Sequence, residues 1–165
     1  MLLSGLKRQW SVAVYTLAGA LVLIATYLGR GRIDVAARPA ALAGAVVVLV
    51  AAGLLAWSHL ALGRALSLWT KPESDFLVQS GPYRFIRHPA YLGMLLAFVG
   101  IALAVRSWLG VVSVPVLMGP ATWLRAKSEE SELRKKFGQD WKQYVARTGF
   151  ILPWLGRKRR TTGAR

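Results

Sequence analysis

Four apolar blocks separated by short polar segments run along most of the chain, and this pattern predicts membrane-spanning helices. The first block, residues 10–28, is long enough to cross a bilayer at about 1.5 Å per residue, and the second covers residues 39–62. The third, residues 91–105, is short: extended back to Pro89 it reaches only about 26 Å. The fourth, residues 108–124, contains prolines that predict a kink.

A different periodicity follows the last apolar block. Residues 128–147 predict an amphipathic helix, because polar and apolar residues recur there at steps of three and four. The predicted class is therefore an all-α integral membrane protein with about four transmembrane helices and a cytoplasmic amphipathic C-terminal helix. We expect one domain over residues 1–156 and a basic, disordered tail over residues 157–165. The predicted shared face of the amphipathic helix consists of Glu130, Leu133, Phe137, Trp141 and Tyr144.

Composition agrees with this class and removes several chemistries. The chain has 165 residues, of which 55% are hydrophobic, and a mean hydropathy of +0.40. It has no cysteine, which excludes disulfides, thiolate metal sites and a cysteine nucleophile. Its two histidines, His59 and His88, are too few and too far apart in sequence to indicate a metal site.

The basic residues predict an orientation in the membrane. With four spans, 18 of the 22 Lys and Arg fall on the side that holds both termini, the segment 63–89 and everything from Arg125 onward. We expect an integral protein of the cell inner membrane, and the positive-inside rule predicts that this side faces the cytoplasm. The net charge of +15 flanks apolar spans, so we expect anionic lipid headgroups as partners and no nucleic acid. The other side holds Arg30, Arg32, Arg38 and Arg106.

The stretch 81–93, which reads G-P-Y-R-F-I-R-H-P-A-Y-L-G, carries the main chemical signal. Its first two residues indicate a turn. Pro89 suits the first turn of a helix, which places His88 at a helix N-terminus. Free N–H groups and a partial positive charge at such an end suit a carboxylate or phosphate. By composition alone, the stretch is also typical of a basic juxtamembrane loop with interfacial tyrosines.

The order of these residues resembles the motif G-x-Y-x-x-x-R-H-P-x-Y-x-G of the isoprenylcysteine carboxyl methyltransferase family and its phospholipid methyltransferase relatives. Residues 62–67 resemble the family's L-G-R-x-x-S element. The chain departs from the family at Trp141, where tyrosine is frequent, and eukaryotic members carry more spans, so a prenyl-binding part is not assured. The first half of the signature maps onto Gly81, Tyr83, Arg87, His88, Pro89, Tyr91 and Gly93, and the second onto Arg125, Glu129, Glu130, Phe137, Gly138, Tyr144 and Pro153.

The resemblance implies transfer of a methyl group from S-adenosylmethionine. His88 and the N–H groups after it would bind the cofactor's carboxylate, and a glutamate of the 129–130 pair its amine or ribose hydroxyls. Tyrosine rings would attract the sulfonium, and Gly93 would allow close approach of a helix or of the ligand. For the glutamate pair, a simple interaction with the helix dipole stays open. The implied cofactor-binding residues are Tyr83, Arg87, His88, Pro89, Tyr91, Gly93, Glu129, Glu130 and Tyr144.

The implied catalytic residues are Arg125 and Glu130. Arg125 would hold an acceptor carboxylate bidentately, and Glu130 would fix Arg125 or take a proton from an amine or thiol. A role for Arg125 as a plain anchor at the end of a span stays open. The acceptor is a lipophilic small molecule or a lipid that carries a carboxylate, thiol or amine. Two alternatives to methyl transfer are a non-catalytic lipid- or partner-binding membrane protein and a sterol-reductase-like enzyme that uses NADPH.

Overall fold

The computed structural model describes residues 2–63 and 77–153, with side chains from residue 9 onward. The part of the 62–67 element beyond Gly63 and the predicted tail 157–165 lie outside these residues. The described chain is helical throughout, apart from connecting segments and one isolated β-bridge. The helices are α1 (Leu2–Leu28), α2 (Ala37–Leu62), α3 (Pro89–Ala104), α4 (Trp108–Ser113) and α5 (Gly119–Arg147), with a 3₁₀ turn at Gly81–Arg84 and a π-helical segment at Val114–Met118 between α4 and α5.

Among the described residues, three helical stretches are long and apolar enough to cross a membrane. They are Gln9–Leu28 in α1, Ala37–Leu62 in α2 and the continuous Trp108–Arg147. The fourth apolar helix, α3, has 16 residues and is shorter than a usual span, as its sequence predicted. Leucine, valine and tryptophan side chains of these helices are widely exposed, as expected for a surface that faces lipid. The predicted class of all-α membrane protein is confirmed.

Helices α2 and α3 pack against each other along glycines. A Cβ atom on Gly44 would lie 2.5 Å from the Gly100 carbonyl oxygen, and one on Gly100 would lie 2.8 Å from Val48 Cγ2. A Cβ on Gly93 would lie 2.8 Å from Leu55 Cγ. Any larger residue at these positions would separate the two helices, as is common where membrane helices approach closely.

The connections show that successive helices alternate in direction. The Gly31 amide donates to the Val105 carbonyl at 2.9 Å, and the Arg106 guanidinium donates to the Val35 carbonyl at 3.0 Å. The loop between α1 and α2 therefore meets the turn between α3 and α4, where Arg106 has a φ of 56°. The central motif and the second half of α5 consequently lie at the opposite end of the bundle.

The last apolar block continues into the amphipathic segment without a connecting loop. Pro115, which removes a backbone donor, lies in the π-helical segment where a kink was predicted. From Gly119 the helix continues through Arg125 into the polar segment. The predicted helix over residues 128–147 is present, with a break at Gly138, whose φ is 50° and ψ is −109°. Glycine adopts this conformation readily because it has no Cβ.

Candidate active site

The end of the chain is fastened to the central motif by backbone hydrogen bonds. Ile86 and Gly149 form a parallel bridge. The Arg87 amide donates to the Gly149 carbonyl at 2.8 Å, and the His88 amide donates to the Phe150 carbonyl at 3.1 Å. The two halves of the signature are thus joined immediately before α3 begins, and the segment after α5 covers the motif.

Arg87 and Glu130 form the centre of this junction. Arg87 Nε lies 2.8 Å from Glu130 Oε1, with the side chains 11% and 12% exposed, and Arg87 Nη1 donates to the Thr148 carbonyl at 2.6 Å. Lys127 Nζ lies 2.9 Å from Glu130 Oε2, and His88 Nε2 lies 3.4 Å from Oε1. Two cations beside one carboxylate favour its ionised form. Both carboxylate oxygens of Glu130 thus have partners within the protein.

Glu129 belongs to a second network on the neighbouring face of α5. The Tyr91 hydroxyl donates to Glu129 Oε1 at 2.7 Å, and Arg125 Nη2 lies 3.1 Å from the same oxygen. Arg125 Nη1 also donates to Ser11 Oγ on α1 at 3.4 Å. Because Oε2 takes part in neither contact of Glu129 and the side chain is 37% exposed, this carboxylate remains accessible to a ligand.

The predicted support of Arg125 by Glu130 is wrong, since Glu129 makes that contact. Residues four apart lie on the same helix face, whereas a residue five apart is rotated by about 100° further. The extra residue turns Glu130 toward Arg87 and His88. The adjacent glutamates therefore have different partners.

Tyr83 and Tyr144 connect the 3₁₀ turn to the last part of α5. The Tyr144 hydroxyl donates to the Tyr83 carbonyl at 2.8 Å, and the Tyr144 ring lies 5.6 Å from that of Trp141. Burial raises the pKa of the Tyr83 phenol well above its ordinary value, so the phenol stays protonated in alkaline solution as well. The helix segment after Gly138 thereby reaches the same motif that Glu130 contacts from before the break.

His88 stands at the N-cap position of α3, as the sequence predicted, although its side chain makes no capping hydrogen bond there. Its side chain is 5% exposed and lies between aromatic rings, with centroids 5.6 Å from Tyr91 and 5.0 Å from Phe150. Pro89 is buried at the first position of the helix. Gly93 contacts α2, so the close approach seen there is that of a helix; a cofactor contact of Gly93 stays a prediction.

Sequence reasoning missed several residues of the site. Thr148 and Phe150 follow the last helix and have no periodicity that would mark them. Lys127 carried a usable signal, because it stands three residues before Glu130. Ser11, and Tyr15 whose ring centroid lies 5.5 Å from that of Tyr91, also carried one, as polar residues one turn apart on a predominantly apolar helix.

The fold and the site define a helical membrane protein with a cluster of arginines, carboxylates and tyrosines at one end of its bundle. A family model described as phospholipid methyltransferase matches residues 39–140, and the chain belongs to this family. The resemblance seen in the motif is thereby confirmed.

Curated relatives carry methyltransferase names. Methanethiol S-methyltransferase 1 of Bradyrhizobium diazoefficiens is 32% identical over 75 residues, which cover 44% of this chain and 24% of that protein. Probable protein-S-isoprenylcysteine O-methyltransferase of Oryza sativa subsp. indica is 30% identical over 79 residues, which cover 48% of this chain and 41% of that protein. The chain therefore matches less than half the length of either relative.

Proposed function

We propose that the protein transfers a methyl group from S-adenosylmethionine to a lipophilic acceptor at the cytoplasmic membrane interface. The observation that carries the proposal is the network of Tyr91, Glu129 and Arg125, which joins both signature halves at the polar end of an apolar bundle. Membership of the phospholipid methyltransferase family and the names of the relatives support the reaction class.

The residues of the network suit the polar groups of S-adenosylmethionine. Glu129 Oε2, outside both contacts of that carboxylate, suits an ammonium or ribose hydroxyls. The N-terminus of α3 behind His88 suits the cofactor's carboxylate. The ring of Tyr91 beside this end suits a sulfonium through cation–π attraction. Arg87 and Glu130 hold the segments that carry these groups.

When bound, S-adenosylmethionine supplies an electrophilic methyl: the acceptor's lone pair forms the new bond to carbon as the carbon–sulfur bond breaks, and that bond's electron pair stays on sulfur. The protein's task is then alignment and exclusion of water. Arg125 contacts Glu129 and Ser11, and its side chain is 19% exposed. Its planar guanidinium would hold an acceptor carboxylate and aim one oxygen at the methyl.

The acceptor is proposed to arrive from the bilayer, because lipophilic molecules partition there. An isoprenylcysteine-like carboxylate, a lipid amine and a thiol are the candidates. A fixed guanidinium attracts an anion and repels an ammonium, which favours a carboxylate or thiolate. Glu130 forms ion pairs with Arg87 and Lys127, which makes it a weak base. An anionic acceptor needs no base, because it has no proton to lose.

Titration calorimetry of the purified protein with S-adenosylmethionine and with NADPH tests the proposal. We expect heat of binding from S-adenosylmethionine and none from NADPH. We also expect methyl transfer to a member of a panel of lipophilic acids, thiols and amines. Binding of NADPH alone would indicate reductase chemistry. Binding of neither molecule would indicate a non-catalytic membrane protein.

We predict that His88→Ala and Glu129→Ala each weaken S-adenosylmethionine binding. Loss of one charge-assisted hydrogen bond corresponds to about 1.5–3 kcal/mol, or about ten- to a hundredfold in affinity. The same titration measures the effect, and His59→Ala, an exposed histidine near the end of α2, is the matched control with parental affinity. A folded His88→Ala protein that binds as well as the parent would assign the motif a structural role only.

We predict that the site and both termini face the cytoplasm. Asp34, in the loop between α1 and α2, and Gln139, beside the break in α5, are exposed at opposite ends of the bundle. Because the chain has no cysteine, Asp34→Cys and Gln139→Cys each provide a unique thiol. In intact cells an impermeant maleimide should label only the first variant. Labelling of Gln139→Cys but not of Asp34→Cys would show that the topology is the reverse of the predicted one.

A further inference from the structure

Two buried hydroxyl groups between α1 and α5 have no hydrogen-bond partner among the described residues. They belong to Tyr15 and to Thr122, and the Thr122 residue is 0% exposed. The two hydroxyl groups lie close enough to interact with each other, but their mutual geometry is not that of a hydrogen bond. A buried hydroxyl without a partner is unfavourable, above all within a membrane, where water is scarce.

Other helical hydroxyls of the chain avoid this situation by bonding to the carbonyl one turn earlier. Thr16 donates to Val12 at 2.9 Å and Ser58 donates to Leu54 at 2.7 Å. Thr122 makes no such bond. Its hydroxyl is therefore not committed to a carbonyl of its own helix, unlike those of Thr16 and Ser58.

The position of the two hydroxyls connects them to the proposed site. The Tyr15 ring lies 5.5 Å from the ring of Tyr91, whose hydroxyl bonds Glu129. Thr122 precedes Arg125 by three residues on α5, so both lie on one side of the helix. Tyr15 follows Ser11, the contact of Arg125 on α1, by one turn. The pair thus continues the polar network from Arg125 toward the apolar interior of the bundle.

We infer that Tyr15 and Thr122 bind the reacting group of the methyl acceptor beside Arg125. Two O–H donors next to a guanidinium suit an anionic group that accepts hydrogen bonds. The inference rests on the proposed function and deepens it, because it names α1 as part of the acceptor site. Tyr15 lies outside the residues 39–140 that the family model matches, whereas Thr122 lies within them.

The test removes each hydroxyl while it keeps the shape of the side chain. Tyr15→Phe, Thr122→Val and the double variant are placed in nanodiscs with S-adenosylhomocysteine, and binding of dodecanoate, dodecanethiol and dodecylamine is measured. We expect dodecanoate to bind the parent most tightly. Each substitution should weaken dodecanoate binding about tenfold and leave S-adenosylmethionine affinity unchanged.

Matched controls and a stability measurement separate binding from structure. Tyr27→Phe and Thr16→Val each remove an exposed hydroxyl of α1, and both variants should bind dodecanoate as the parent does. The thermal midpoints of Tyr15→Phe and Thr122→Val should be equal to or above that of the parent, since neither hydroxyl is bonded in the free protein.

The outcomes distinguish this inference from the proposed function. Unchanged dodecanoate binding in the double variant, equal losses for cofactor and dodecanoate, or a preference of the parent for dodecylamine would each overturn the inference. Lower midpoints in both single variants would show that the hydroxyls act structurally and would also overturn it. A parent that binds dodecanoate through these hydroxyls but transfers no methyl group would overturn only the proposed function.

Discussion

Arg125→Ala is expected to lose about a hundredfold in turnover while it keeps near-parental affinity for S-adenosylmethionine. The separation follows from the contacts of Arg125. Its loss leaves Glu129 bonded to the Tyr91 hydroxyl at 2.7 Å, so the proposed cofactor-binding carboxylate stays in place. The acceptor, however, loses the cation proposed to orient it. Arg125→Lys should restore turnover only partly, because an ammonium lacks the planar fork of a guanidinium.

Parallel assays of methyl transfer and of cofactor binding, in detergent or nanodiscs, check this prediction. Arg134→Ala is the matched control, because Arg134 is an exposed arginine farther along the same helix. It should retain parental values in both assays. Full turnover by Arg125→Ala on any accepted substrate would remove Arg125 from the mechanism. Equal losses of binding and turnover would assign it to the cofactor site.

The largest loss of stability is expected from Arg87→Ala, at about 3 kcal/mol. Arg87 donates to Glu130 and to the carbonyl groups of Val145 and Thr148, and its side chain is only 11% exposed. Removal leaves a largely buried carboxylate with Lys127 and His88 as its remaining partners. It also releases the segment that follows α5 from the motif.

Thermal denaturation in detergent, together with a double-mutant cycle, measures this effect. Arg84→Ala, in the same 3₁₀ turn but exposed, is the control and should unfold near the parental midpoint. Because Arg87 and Glu130 contact each other, Arg87→Ala combined with Glu130→Ala should destabilise by less than the sum of the single changes. Equal midpoints for Arg84→Ala and Arg87→Ala would contradict a stabilising role for this ion pair.

Several features of the protein follow from neighbouring residues alone, and these could be predicted. Apolar blocks predict helices because a chain in lipid must satisfy its backbone groups internally. Pro89 favours the first turn of a helix, which placed His88 at its N-terminus. The irregular helix at Pro115 follows from the missing N–H of proline. The motif itself indicated the family, since its residue types recur at set spacings.

Tertiary structure alone decided how the candidate site is assembled. The contacts that build it join residues far apart in the chain: Arg87 and Glu130 are separated by 43 positions, and Ser11 and Arg125 by 114. Local periodicity carries no information on such pairs, so the division of roles between Glu129 and Glu130 and the contact of Phe150 with His88 could not be predicted. Gly138 illustrates the limit, because glycine permits a helix to continue or to break and its neighbours in sequence do not decide between the two. The unbonded hydroxyls of Tyr15 and Thr122 became visible only when α1 was packed against α5, because burial and the absence of a partner are properties of the folded chain.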